Sequence, residues 1–194
     1  MTTEEPTLVK TLDFQLDIQS DNESLLKDAT LEARWVYNET IRLAKEGVDW
    51  DDISPRLEDE ADLIKNTTQR IVAKALEAME NYYDYDDYNI PSHTKDGAYP
   101  LRANYEEGYN LSLTDDGEVA FRISAKPYNH VKGILKGSDA HLDLLKNALT
   151  SDEWKVTTSE ALWRGENLNF TSIFATPNVL CETSRTLGRL SASM

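Results

Sequence analysis

The stretch Asn66–Tyr83, NTTQRIVAKALEAMENYY, constrains the chain most. Ile64, Thr67, Ile71, Ala75, Ala78 and Tyr82 recur every three or four residues, so a helix over this stretch carries one apolar face that has to be buried. A face of this kind is core packing first and says nothing by itself about chemistry.

The flanking segments supply what that face packs on. Thr7–Ile18 alternates Leu8, Leu12, Phe14, Leu16 and Ile18 with Lys10, Asp13, Gln15 and Asp17, the pattern of a strand with one buried face. Ser20, Asp21 and Asn22 offer N-cap oxygens to a first long helix, whose stripe Leu25, Ala29, Ala33, Val36, Tyr37, Ile41 and Ala44 ends at Gly47. Val48–Leu57, with Pro55, reads as a connector containing a turn of helix, and Asp84–Tyr99 as a loop. Tyr109–Leu113 and Val119–Ile123 alternate on either side of Asp115-Asp116-Gly117, a hairpin. A strand at His130–Lys136, a helix capped near Ser138 and running to Thr150, and a strand at Glu153–Trp163 complete the order. One strand, a helical excursion and then several strands predict an α+β fold: a small antiparallel β-barrel interrupted after its first strand by a helical subdomain.

Charge narrows the function. Twenty Lys and Arg against 35 Asp and Glu give a net charge of −15, which opposes binding to polyanionic nucleic acid and suits an acidic surface hydrated in high salt. The reading is a halophilic adaptation. A single cysteine, Cys181, forms neither an intramolecular disulfide nor a multi-cysteine zinc site. No apolar run approaches the roughly 18 residues of a membrane span, and Met1–Pro6 lacks the basic start of a signal peptide, so a cytoplasmic location without membrane contact is expected.

Self-sufficient catalytic patterns are missing. Asp84, Asp86 and Asp87 lack the glycine and the late glutamate of a calcium loop and read as solvated surface. His93, His130 and His141 have no metal-binding spacing, and no serine elbow or glycine-rich phosphate loop accompanies them. Trp35, Trp50, Trp154 and Trp163 read as packing residues. No catalytic or metal-ligating residue is therefore assigned.

Three segments, ARWVYNETIRLAKEG, NTTQRIVAKALEAMENYY and PSHTKDGAYPLRANYEEGYNLSL, occur in that order. Together they resemble the TnpB or OrfB proteins of insertion sequences, in their haloarchaeal form, over roughly residues 7–163. The resemblance implies the N-terminal part of an RNA-guided DNA endonuclease: a wedge-type barrel interrupted by a helical recognition lobe that grips guide RNA and target DNA. On that reading residues 1–19 form the first barrel strand, 20–88 the helical insert and 89–167 the rest of the barrel with one helix. Residues 168–194 form a disordered tail.

The family cuts DNA with a RuvC-like Asp-Glu-Asp nuclease that holds divalent metal, next to a four-cysteine zinc ribbon, and neither pattern occurs in this sequence. Since two-metal cleavage needs carboxylates holding ions about 4 Å apart, no nuclease activity and no cofactor are expected of this chain. Between Phe170 and Met194 there is one acid, Glu182, and no lysine. Leu168–Met194 read in another frame with suitable codons resembles the family's continuation, so the tail is expected to be missense after a frame shift. The residues expected to contact phosphates are Arg70, Lys74, Lys95 and Arg102. The expected partners are guide RNA and DNA, and possible further ones include a full-length transposase. The alternative is a free-standing acidic protein-interaction module or a regulator of such a transposase.

Overall fold

A computed structural model describes residues 9–18, 22–84, 91, 99–151, 154–164 and 167–175. The element order is β1 (Val9–Ile18), α1 (Glu23–Lys45), α2 (Trp50–Glu60), α3 (Lys65–Asp84), β2 (Leu101–Asn104), β3 (Tyr109–Leu113), β4 (Val119–Lys126), β5 (Asn129–Lys136), α4 (Asp139–Thr150), β6 (Lys155–Arg164) and β7 (Asn167–Ala175). Every ladder is antiparallel, and the strand order across the sheet is β2-β6-β7-β1-β5-β4-β3.

β1 is the shared member of two half-sheets. Its residues Val9 to Gln15 pair with β7, whereas Gln15 to Ile18 pair with β5 on the other side. The alternation that marks β1 in the sequence puts Leu12, Phe14 and Leu16 into the core and leaves Asp13, Gln15 and Asp17 exposed. In register with Leu16 stands Leu135 of β5, also buried.

The expected barrel does not form. Closure would need the two edge strands, β2 and β3, to form a ladder, but they meet at a single bridge between Tyr105 and Tyr109 within the tight link that joins them. Helix α4 packs against both β3 and β6, on the two sides of that gap. β2 is only four residues long and spends all four on its ladder with β6. The sheet is therefore open.

The expected disordered tail is also corrected at its start. Asn167–Ala175 are a strand in the middle of the sheet, hydrogen-bonded to β1 on one side and β6 on the other. β6 and β7 form an antiparallel ladder, a pairing that the expected end of the fold near residue 167 did not include. Residues 176–194 lie outside the described residues.

Three helices, not two, separate β1 from β2. Where a connector was expected, α2 forms because the Asp49 carboxylate accepts the Asp51 N–H at 3.1 Å, Asp51 and Asp52 stand in the first turn, and Ile53 and Leu57 are fully buried one turn apart. Those contributions outweigh the roughly 3 kcal/mol that Pro55 costs inside a helix. α3 buries Thr67, Thr68, Ile71, Val72, Ala75 and Met79 against α1, α2 and β2. The buried stripe is thus rotated slightly from the expected one, since Ala78 and Tyr82 are only half-buried.

The start of α3 is clamped to the β2–β3 link. Asn66 Oδ1 accepts the Asn104 N–H at 3.2 Å and its amide donates to Glu107, which also accepts from Asn104 Nδ2 at 2.9 Å. Thr158 on β6 donates to Asn104 Oδ1 at 3.0 Å, so helix, link and sheet are tied at one place. Gly108 permits it, because a β-carbon there would meet Ala103 Cβ and Asn66 Oδ1.

Candidate nucleic-acid interface

Three of the four expected contact residues lie on α3 and β2, two elements that pack on each other. Arg70 and Lys74 lie one turn apart on the exposed side of α3. Arg102 projects from β2 and donates to Glu160 Oε1 at 3.0 Å, its direct partner across the β2–β6 ladder. Lys74 is held by Glu77 at 3.0 Å, and Arg70 makes no ion pair among the described residues. Lys95 lies outside the described residues.

Tyr99 lies close enough to feel the charges of Arg102 and of Glu77, the partner of Lys74. Its ring stacks on Tyr37 of α1 at 4.5 Å, and its N–H donates to Thr30 O at 3.1 Å, which fixes the chain entering β2 against α1. The Tyr99 hydroxyl is pushed well above its ordinary value, first by burial and then by Tyr37 and Glu160, with Arg102 opposing and Glu77 adding to the rise. Burial raises the Tyr37 hydroxyl as well. Both phenols are therefore neutral at physiological pH, and their stack is an uncharged contact between α1 and the chain entering β2.

The carboxylates here are easily exchanged. Lys74–Glu77 is an exposed pair and Arg102–Glu160 a half-buried one, and pairs near the surface contribute about 0–1 kcal/mol. A phosphate offering charge-assisted bonds can take either cation with little loss, although Glu77 and Glu160 remain nearby and oppose it.

A second cationic group, not anticipated from the sequence, lies on the solvent face of β3, β4 and β5. Asn110, Arg122 and Lys132 stand in one cross-strand row, Asn110 opposite Arg122 and Arg122 opposite Lys132. Arg122 Nη2 donates to His130 Nε2 at 2.6 Å, and His130 Nδ1 lies 3.2 Å from Ser124 Oγ. Accepting at Nε2 places the imidazole proton on Nδ1, facing Ser124. The imidazole is held below its ordinary pKa by burial, then by Arg122 and Lys132. The available signal was the outward phase of β4 and β5, which places Arg122 and Lys132 on the wet face. Their pairing depends on a register shift between Ser124 and Lys126 that nothing in the local sequence marks.

Among the described residues no group of three or more His, Cys, Asp or Glu is placed to hold a metal ion. No helix among them is long and apolar enough to cross a membrane. No family model matches the chain, and no curated protein matches it.

Proposed function

We propose that the chain is a nucleic-acid-binding unit of the TnpB type, holding RNA through phosphate contacts at the α3–β2 junction and performing no cleavage itself. The observation that carries the reading is the placement of Arg70 and Lys74 one turn apart on the exposed side of α3, a helix that packs on the strand β2 carrying Arg102. The succession of one strand, a helical excursion and a sheet is the order that the resemblance to TnpB implies, and it supports the same reading.

Contacts of this kind position a strand without reading its bases. Affinity is therefore set by phosphate neutralisation and falls with salt, by about 0.7 in the slope of log K per single-strand contact. The test is fluorescence anisotropy of labelled single-stranded RNA across a potassium chloride series. Neutralising Arg70, Lys74 and Arg102 to Gln together is expected to flatten the slope by about two, three contacts at roughly 0.7 each. An RNA affinity unchanged in the triple variant sinks the assignment.

A protein-binding module is the second reading, favoured by Leu31 and Trp35, which lie one turn apart on α1 and remain more than a third exposed. It expects no RNA affinity, and a protein partner whose binding Trp35→Ala abolishes.

A further inference from the structure

Arg122 and Lys132 face each other directly across the β4–β5 ladder, with β-carbons about 5 Å apart in such a pair. Like charges in this relation destabilise a sheet. In a chain with 35 acidic residues, a carboxylate beside either cation would relieve the repulsion; the nearby Lys136 and Lys126 each have such a partner, Glu118 and Asp62. Neither Arg122 nor Lys132 has a carboxylate of the described residues within ion-pair distance.

The surroundings form an open hollow of about 600 Å3. Asn110 and Ser112 of β3 contribute polar groups on one side, Arg122 and Lys132 stand at the centre, and Phe121 with Gly133 shapes the floor. Asp17 of β1 lies at the far wall, in the neighbouring cross-strand row that runs through Ile134 and Ala120. His130 accepts from Arg122 and so fixes the guanidinium while leaving its other N–H donors open.

We propose that this hollow is an oxyanion site that takes a phosphate group, with Arg122 and Lys132 as charge partners and Asn110 and Ser112 as neutral donors. A dianionic or diester phosphate removes the like-charge repulsion and supplies the acceptor oxygens that the row of donors lacks. That the phosphate belongs to a nucleic-acid backbone rests on the function proposed above. The site itself is equally open to free phosphate, and the two sources are separated by experiment.

The full chain is titrated with inorganic phosphate against sodium chloride at equal ionic strength, following melting temperature and the backbone amide resonances. Its affinity for labelled single-stranded RNA is measured alongside, for the wild type, for R122Q/K132Q, and for K74Q/R102Q as a second variant. Phosphate is expected to raise the melting temperature of the wild type and of K74Q/R102Q, to shift the amides of Arg122 and Lys132, and to leave R122Q/K132Q unmoved. RNA binding by R122Q/K132Q is expected to lose about 1.4 from the slope of log K against log salt, two contacts at roughly 0.7 each. Removing the repelling pair should leave the double variant folded, which its melt verifies directly.

RNA binding that is the same in R122Q/K132Q as in the wild type, without any phosphate response, overturns the site and leaves the nucleic-acid reading standing. A phosphate response abolished in R122Q/K132Q, in a chain that does not bind RNA, upholds the site and removes that reading. The absence of both responses overturns both.

Discussion

The ring of Phe121 lies across the α-carbon of Gly133, its direct partner on β5: a β-carbon on Gly133 would fall 2.8 Å from Phe121 Cε1 and would overlap the Asp17 carbonyl oxygen of β1. Phe121 is buried, so it has no room to withdraw. Gly133→Ala must push apart β1 and β5 or displace the ring, and overpacking of this kind costs about 1–3 kcal/mol. The urea midpoint of the variant is expected to fall accordingly. An unchanged midpoint would show that the β1–β5 ladder has room for a methyl group that this packing denies it.

Thr67 is fully buried in α3, and its hydroxyl has no hydrogen-bond partner among the described residues. Val has nearly the same shape, and helix propensity hardly separates the two. Thr67→Val is therefore expected to stabilise the fold by about 1 kcal/mol, the penalty of a buried unpaired hydroxyl. Denaturant unfolding checks it, and a destabilised variant would mean that the hydroxyl is satisfied in solution.

At the β4–β5 turn Tyr128 has φ of 64° and is 99% exposed. The left-handed backbone costs a non-glycine residue about 1 kcal/mol or more, and no packing offsets it. Tyr128→Gly should raise the melting temperature by a few degrees. A lower melting temperature would reveal a contact of the Tyr128 ring that compensates the backbone.

The legible parts of this chain were those governed by local rules. Leu12, Phe14 and Leu16 obey period two, Asp115-Asp116-Gly117 makes a turn with Gly117 at positive φ, and Ser138 caps α4 by accepting from His141 N–H at 3.3 Å. What escaped was nonlocal or a balance of opposing terms. Nothing near Gln15 reveals that β1 changes partner there from β7 to β5, and nothing in β2 or β3 reveals that these edge strands form no ladder, which is what leaves the sheet open. Pro55 looked like a breaker, because the burial of Ile53 and Leu57 that overrides it is tertiary. The same holds for the site residues. Arg102 and Lys74 were visible as cations, but not that Glu160 and Glu77 already pair with them. The facing of Arg122 and Lys132 needed a register that only the folded ladder supplies.

His130 accepts from Arg122 at Nε2, and protonating that nitrogen would turn an acceptor into a donor aimed at a guanidinium. Its folded pKa is depressed by burial and by the charges of Arg122 and Lys132, while the unfolded value stays near about 6.5. Between those values the unfolded chain binds the extra proton, so stability is full above about pH 6.5 and is lost as pH falls toward the folded value. Gln can still accept from Arg122 but does not titrate. Melting curves from about pH 7.5 to about pH 5 should therefore converge or cross on acidification, wild type losing more than His130→Gln. Parallel profiles would place the imidazole out of reach of Arg122.

β7 offers the sharpest test of the missense-tail expectation. Its residues pair with β1 from Val9 to Gln15 and with β6 from Lys155 to Arg164, so deleting residues 167–194 strips both ladders at once. Backbone hydrogen bonds contribute about 1 kcal/mol each net, and a domain of this size holds only about 5–15 kcal/mol in total. Two open edges would also be exposed where a central strand had been. The shortened chain is expected to lose its cooperative melt and to aggregate, because Leu12 and Phe14 lose the half-sheet that flanks them. A chain ending at Glu166 that melts as sharply and as high as the whole would mean that residues 167–175 contribute nothing to the sheet, as a shifted reading frame requires.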